Sequence, residues 1–242
     1  MFINFFKSYK NYKNFFKKIK KDQIIVFSEG NHHWAHLKFL VLICIKKYKI
    51  RYVTINLKDK GLKFKNRNFE SYYLGNIFFL NLFFRKIDSK CLITSLPDLG
   101  KLYFQKHNDC KFVYMFHSLA STHTQYNKDA FDNFDIVLCA GPHHYKEIRK
   151  SEEYYKTKRK KLFKYGYPRL EEIKSSITNN KKINIKKTIL IAPSWGLNSI
   201  TNLCIFEILE NLLNSNFNII YRPHNMSLKK DKKIIKNIIS KY

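Results

Sequence analysis

Short apolar runs alternate with amphipathic stretches along the chain, and this alternation predicts strands that are followed by helices. Residues 23–28 form an apolar run, residues 33–47 show helical spacing of apolar positions, and residues 51–56 form a second run. A strand-helix-strand order implies a parallel sheet with a right-handed crossover. Further strands are predicted at residues 91–95, 112–116, 135–139, 162–165, 188–192 and 218–222.

Helices are predicted between most of these strands. One begins at Pro97, because proline favours the first helical position. Residues 58–76 are polar and irregular and predict a surface excursion, while residues 76–87 are apolar and fit either a helix or a strand. The fold class that follows is α/β. The other predicted helices lie at residues 142–156, from 170 onward, at 201–213 and at 229–240.

The strand-helix pattern restarts after residues 177–187, a polar and basic stretch that predicts a linker. Residues 188–242 hold a second strand-helix-strand-helix unit, which is smaller than the usual independent α/β domain. We therefore expect an α/β domain with a parallel sheet at 22–187 and an incomplete second α/β unit at 188–242.

The first 21 residues form a separate basic segment. Aromatic and apolar side chains recur there at three-and-four spacing, lysines occupy much of the remaining surface, and no acidic residue occurs before Asp22. Two interpretations stay open at this point. The helix lies on an anionic membrane surface, or it packs on the core of the protein with its lysines in solvent.

A formal net charge of +28 suggests an anionic partner, which is a nucleic acid, a membrane surface or a substrate. The chain is also rich in Lys, Asn, Ile, Phe and Tyr, as expected of an AT-rich genome, so charge alone does not favour nucleic acid. Hydrophobic residues make up 45% of the 242 residues, which is enough for a sizeable core. We expect no nucleic-acid partner.

The five cysteines are scattered and form no CxxC pair, which is typical of a reducing compartment. No apolar run is long enough to span a membrane and no signal peptide is evident. These features predict a cytoplasmic protein, with the basic helix as a candidate anchor on the inner face of the plasma membrane. His32, His33 and His36 cluster at a helix entry, but no nearby acid or cysteine was expected to complete a ligand set, so no metal and no cofactor are predicted.

Residues 111–144 carry the strongest functional signal. His117 and Ser118 follow the strand at 112–116, and His143 and His144 follow the strand at 135–139. Polar residues at the carboxyl ends of parallel strands are expected to face the ligand crevice of an α/β sheet. The intervening loop adds further hydrogen-bonding side chains, namely Ser121, Thr122, His123 and Tyr126.

Several short motifs occur in an order that resembles a known family. They are Phe27-Ser28-Glu29-Gly30, Ser95-Leu96-Pro97-Asp98-Leu99, Phe116-His117-Ser118 with Ser121-Thr122-His123, Ala130-Phe131-Asp132, Gly141-Pro142-His143-His144, Tyr165-Gly166-Tyr167-Pro168-Arg169-Leu170, Ala192-Pro193-Ser194-Trp195-Gly196 and Arg222-Pro223-His224. In order and spacing, the chain resembles the CDP-glycerol glycerophosphotransferases of teichoic-acid and related surface-polymer synthesis.

The resemblance implies a GT-B-like architecture of two Rossmann-type domains, with an acceptor domain at 22–187 and a nucleotide-binding domain at 188–242. His117 matches the catalytic histidine of that family, and Arg222 and His224 match its Arg-Pro-His element, which binds the phosphates of a CDP-glycerol or similar CDP-polyol donor. The acceptor would be a glycan or a lipid-linked molecule. The family continues past this element and has proline where Asn225 stands, so a truncated, non-catalytic relative or an acceptor-binding half with a partner chain stays an alternative.

The residue chemistry fits these roles but leaves alternatives open. A neutral histidine can take a proton from a hydroxyl group, and arginine and histidine can hold developing phosphate charge. His143 and His144 at a helix start either contact phosphate or cap the helix. A basic nucleic-acid binder stays the second alternative to a transferase. Acceptor or phosphate binding is open for a further set of polar residues, which are Ser118, Ser121, Thr122 and His123.

Overall fold

A computed structural model describes residues 2–99, 109–178 and 187–242. The chain divides into two compact units, Met1–Ile177 and Thr178–Tyr242. Each unit is built around its own parallel sheet.

The first unit contains a seven-stranded sheet in which all neighbouring strands run parallel. The strand order is β3-β2-β1-β4-β5-β6-β7, so the order reverses between β1 and β4. This is the strand order of a Rossmann-type sheet with one additional strand. The strands are β1 Ile24–Ser28, β2 Ile50–Thr54, β3 Phe69–Tyr73, β4 Cys91–Thr94, β5 Lys111–Met115, β6 Ile136–Cys139 and β7 Lys161–Lys164.

Helices cover both faces of this sheet. Alternate side chains of β1 enter different apolar layers, with Ile25 and Phe27 on one face and Ile24 and Val26 on the other. Trp34, which is 8% exposed, packs in the second layer. Both sets of alternating β1 side chains are therefore buried, as expected for a parallel sheet that helices cover on both faces. The helices are α1 Phe2–Lys18, α2 Asn31–Cys44, α3 Ile77–Lys86, α4 Thr122–Gln125, α5 Pro142–Tyr155 and α6 Pro168–Thr178.

The predicted surface excursion at 58–76 is wrong. It contains a short 3-10 turn, Lys60–Lys63, and the edge strand β3, which pairs with β2. Asp59 is 1% exposed at the start of this segment, and its carboxylate accepts hydrogen bonds from three buried hydroxyl groups. The polar residues of the segment serve to tie it to the sheet.

Helix α1 is packed onto the first unit and is not a separate segment. Phe15 is fully buried and contacts Tyr72 of β3 and Phe83 of α3. Tyr12 also contacts α3, and Ser8 accepts a hydrogen bond from the backbone N–H of Asn76. The aromatic side of α1 is therefore packed on the protein around Phe15, whereas Phe5 and Phe6 near its start are 42% and 64% exposed and its lysines are exposed as well.

The structure bears on two local predictions, at residues 76–87 and after Pro97. The ambiguous stretch at 76–87 is helix α3, whose first turn is capped by the Asn76 side chain accepting from the N–H of Phe78. Pro97 and Asp98 form a turn, with Asp98 in the left-handed region at φ 59°. The rest of the helix predicted after Pro97 lies outside the described residues.

The second unit has two parallel strands, β8 Thr188–Ile191 and β9 Asn218–Tyr221. Its small core consists of Ile205, Leu209, Ile235 and Ile238. The single helix predicted at 201–213 is two helices that meet at Cys204. The helices are α7 Ile200–Leu203, α8 Ile205–Leu213, α9 Asn225–Lys230 and α10 Lys232–Lys241.

The α/β class, the Rossmann-type first sheet and the smaller second α/β unit are thus confirmed. The roles that the sequence assigned to 22–187 and 188–242 stay predictions. Among the described helices, none combines the length and the apolar character needed to cross a bilayer.

Candidate functional site

The candidate site of the first unit lies at the carboxyl edge of the sheet, near the point where the strand order reverses. Glu29 and His33 follow β1, Ser95 follows β4, His117 follows β5 and Tyr167 follows β7. A ligand crevice is expected there, because helices on opposite faces of the sheet leave a gap at a reversal of strand order. The described structure brings these five residues together through the contacts given below.

His117 occupies the centre of this group. Its ring stacks on the ring of His33, with centroids 5.2 Å apart, and lies 6.1 Å from the ring of His36. The Tyr167 hydroxyl donates to the backbone carbonyl of His117 over 3.1 Å, which fixes the backbone after β5. The Nδ1 atom of His117 is buried and has no hydrogen-bond partner among the described residues.

Burial lowers the pKa of His117 below its usual value, and the nearby His32 lowers it further. The imidazole ring is therefore neutral at pH 7, which is the form that can accept a proton. A hydrogen bond of the ring with the Ser95 backbone raises the pKa in part, and it also orients the imidazole.

His33 is held more tightly than the sequence suggested. It is 3% exposed, its Nδ1 forms a hydrogen bond with the Ser95 hydroxyl, and its Nε2 lies 3.5 Å from a Glu29 carboxylate oxygen. Burial lowers the pKa of His33 to about 3, and burial also raises the pKa of Glu29. The link from His33 to Ser95 joins the start of α2 to the end of β4.

The sequence argument against a metal at the histidine cluster is wrong in one respect. Glu29 does supply a carboxylate beside His32 and His33, and one ligand atom from each residue lies within 4.8 Å of the others. The signal was present in the sequence, because Glu29 precedes the histidines by one helical turn. Its contribution depends on the backbone bend at Gly30, where φ is 153°.

His36 and Arg169 form a second side of the site that the sequence did not assign. The ring of His36 lies 5.5 Å from that of Tyr167, and burial lowers its pKa to about 4. Arg169 and Lys38 both pair with Glu172 of α6, so one carboxylate ties α2 to α6. The motif around Tyr165-Gly166-Tyr167-Pro168-Arg169 thus contributes its tyrosine and its arginine to the rim.

The loop after His117 is ordered by a carboxylate that the sequence did not single out. Glu147 accepts from the backbone N–H of Thr122 over 2.7 Å and from its hydroxyl over 2.8 Å. Ser118 accepts from the N–H of Ala120 over 3.1 Å. Thr122 and His123 line a cavity of about 180 Å³ whose lining does not include His117, so the predicted acceptor residues are divided between two places.

The two histidines at the start of α5 have different environments. His144 is fully buried, stacks on Phe116 with centroids 3.8 Å apart, and bonds through Nε2 to the carbonyl of Ala120. A ring in this position cannot reach a bound phosphate, which corrects the expectation for His144. His143 bonds to the carbonyl of Leu119 over 3.0 Å, so both rings hold the loop after His117.

The donor-side candidates lie in the second unit. Arg222 and His224 follow β9 and are exposed. The Nδ1 atom of His224 accepts from the N–H of Met226 and caps α9, and its ring lies 6.3 Å from that of Trp195 in a stacked orientation. Trp195 follows β8, is 46% exposed, and has the Lys230 amino group 4.8 Å from its ring centre. The carboxyl ends of both strands therefore carry an aromatic and basic group.

Comparisons with known proteins add little to this picture. No family model matches the chain, and no curated protein matches it. Among solved structures, the chain is similar to a sucrose-phosphate synthase from Thermosynechococcus elongatus, with a TM-score of 0.42 and 10% identity over 84% of this chain and 71% of that one. A TM-score this low carries no argument about chemistry.

Proposed function

We propose that the chain is a transferase that moves glycerol phosphate, or a related polyol phosphate, from a CDP-linked donor to a surface-glycan or lipid-linked acceptor. His117 of the first unit is the general base in this proposal, and Arg222 and His224 of the second unit hold the donor phosphates. The motif resemblance supplies the donor class.

The observation that carries the proposal is the state of His117. It is a neutral imidazole that lies at the carboxyl end of a central strand, with its backbone fixed by Tyr167 and its ring supported by His33. A base held in one orientation at a ligand crevice is what proton transfer from an alcohol requires.

The chemistry follows from these groups. The acceptor hydroxyl gives its proton to the imidazole of His117 as its oxygen bonds to the phosphorus that bears the polyol. The bond from that phosphorus to the bridging oxygen of the diphosphate breaks, and CMP leaves with the electron pair. Cationic and N–H donors stabilise the charge on the departing phosphate, and Arg222 suits this role because a guanidinium binds phosphate through two N–H groups.

Peripheral binding to an anionic membrane is part of the same proposal, because a lipid-linked acceptor would be met there. Phe15 is packed on α3 and β3, so the exposed lysines of α1 supply the electrostatic attraction, and the exposed Phe5 and Phe6 are the aromatic side chains available to the interface.

The experiment that tests the proposal is CMP release from CDP-glycerol by the full chain, with a membrane extract as the source of acceptor. His117→Ala and His117→Gln are each expected to lower the rate by about 10²–10⁴-fold, the usual contribution of a general base. His117→Gln retains most of the side-chain volume, and a thermal melt checks that both variants are folded.

Three results would each count against the assignment. A rate that survives in both folded variants would exclude His117 as the base. Absence of CMP release by the wild type, combined with retention of the acceptor, would favour an acceptor-binding protein without catalysis. Tight and strongly salt-dependent binding to generic DNA or RNA would instead favour a nucleic-acid binder.

A further inference from the structure

Glu29, His32 and His33 form a compact group of nitrogen and oxygen ligands at the turn between β1 and α2. One ligand atom from each residue lies within 4.8 Å of the others. The ring centroids of His32 and His33 are 4.1 Å apart, and the two rings are nearly perpendicular. Two imidazoles and one carboxylate are the ligand types that zinc accepts, and three protein ligands leave a fourth position open for water or substrate.

The spacing already found between two of these ligands matches a tetrahedral site. Nε2 of His33 lies 3.5 Å from Oε2 of Glu29. Two ligands that each lie about 2.0–2.1 Å from a tetrahedral zinc are roughly 3.3 Å apart. His32 is exposed at the start of α2, so its ring can turn to complete the set without disturbing a packed core.

The second ring nitrogen of His33 already forms a hydrogen bond with a residue that follows a neighbouring strand. Nδ1 bonds to the hydroxyl of Ser95, which is fully buried after β4. Histidine ligands of metals almost always use their second nitrogen in this way, because the bond fixes the tautomer and aims the other nitrogen at the ion. The contact with Ser95 is therefore an observation independent of the triad, and it leaves Nε2 as the atom that faces Glu29.

We propose that Glu29, His32 and His33 bind a zinc-class divalent cation beside His117. The stacking of His33 on His117 places this ion at the edge of the crevice in which the proposed transfer occurs. The inference goes beyond the proposed function by adding a metal site to it. A divalent cation there would attract the diphosphate of the donor, and its open coordination position would bind a phosphate oxygen.

The carboxylate of Glu29 is essential to this site. The other described groups at this crevice are the neutral imidazoles of His36 and His117 and the guanidinium of Arg169, which pairs with Glu172. The amino end of α2 adds further positive potential. Glu29 is the negative ligand of the triad, so its loss is expected to weaken binding more than the loss of Ser95.

The test measures metal binding directly on the untagged full chain. Protein dialysed against a chelator is titrated with Zn²⁺ in competition with a chromophoric chelator, and metal content is read by elemental analysis. We expect one zinc per chain, and Mg²⁺ at millimolar concentration should not displace it, because Mg²⁺ prefers oxygen ligands. Glu29→Gln and His32→Ala should each weaken zinc binding by more than 100-fold, and Ser95→Ala by about 10–100-fold.

The matched control is His143→Ala. It also removes the first histidine of a pair in the first turn of a helix, but its ring belongs to no metal-ligand group among the described residues. The affinity for zinc should be unchanged in this variant. Substitution with Co²⁺ should give visible bands without a thiolate charge-transfer band, which distinguishes this site from adventitious binding by the free cysteines.

The proposal is overturned if the wild type binds no zinc above the level of a reagent blank, if Glu29→Gln binds as tightly as the wild type, or if the Co²⁺ form shows thiolate ligation. These readouts require no donor or acceptor. Failure of metal binding would therefore leave the His117 tests standing, and failure of CMP release would leave the metal site standing.

Discussion

At the scale of single residues, two histidines that are neighbours in the sequence lie in different environments. His143 and His144 are neighbours, but only His144 is fully buried, where burial lowers its pKa below the usual value near 6.5. In the folded protein His144 is therefore neutral at pH values where the unfolded chain binds a proton. The stability that it contributes is fully present above pH 6.5 and is lost as the pH falls toward the folded pKa.

This difference predicts a pH-dependent effect of His144→Gln. At pH 7.5 the variant should be less stable by about 1–2 kcal/mol, because it loses the stack on Phe116 while its amide can still bond to Ala120. Below pH 6.5 the difference between wild type and variant should narrow by up to about 1.4 kcal/mol per pH unit. Urea unfolding at a series of pH values measures the difference in unfolding free energy between wild type and variant. A difference that does not change with pH would contradict the buried environment of His144.

The sequence alone predicts that His117 lies at the crevice, because a polar residue directly after a buried apolar strand is expected at the carboxyl edge of the sheet. They could not show that Ser95 meets His33 or that Glu147 holds Thr122, since these pairs are separated by 62 and 25 positions. The environment of His144 was also beyond reach, because a helix start is compatible with both exposure and burial. Pairing across loops depends on the assembled sheet.

At the scale of elements, one buried carboxylate connects β1, β2 and the short 3-10 turn that precedes β3. Asp59 accepts from Ser28 on β1 over 3.0 Å, from Tyr52 and Thr54 on β2 over 2.7 and 2.8 Å, and from the N–H of Gly61 over 2.8 Å. Gly61 is required beside it, because a Cβ there would lie 2.4 Å from the Tyr52 ring. The polar segment before β3 is thus a structural connection.

We expect Asp59→Ala to destabilise the fold by about 3 kcal/mol or more, because three buried hydroxyls and one N–H lose their acceptor. Asp132→Ala is the matched control, since its side chain is 40% exposed and its nearest cation lies 3.8 Å away. That change should cost less than about 1 kcal/mol. Chemical denaturation of both variants checks the prediction, and similar losses would show that the Asp59 network is not specific.

Strand β3 was missed for a related reason. Its sequence, FESYY, alternates polar and aromatic residues at a sheet edge, and the polar residues before it resemble a loop. Central strands such as β1 and β5 were recognised because burial on both faces requires continuous apolar runs. The break at Cys204 could not be predicted either, because the apolar pattern continues across it.

At the scale of the whole molecule, the excess of 46 Lys and Arg over 18 Asp and Glu determines how the chain meets charged surfaces. The lysines of α1 are exposed beside a partly packed aromatic side, and α10 carries a second set of exposed lysines. Long-range attraction to anionic surfaces is therefore expected, and it should weaken as salt is added.

Neutralisation of α1 should reduce membrane binding. Lys10→Gln, Lys13→Gln and Lys17→Gln combined are expected to weaken binding to vesicles of anionic phospholipid by about fivefold per lysine, with little binding of either protein to neutral vesicles. The control replaces three exposed lysines of α10, which are Lys232, Lys233 and Lys236. Cosedimentation measures both, and an equal loss in the control would show that binding follows total charge and not the orientation of α1.

The two tryptophans of the chain belong to different units and differ in their contact with water. Trp34 is almost enclosed in the first unit, whereas about half of Trp195 is accessible in the second. Emission from the enclosed indole should be blue-shifted, and emission from the accessible one should respond to aqueous quenchers. Replacement of either tryptophan by phenylalanine would leave one indole, whose emission reports on the melting of its own unit within the intact polypeptide.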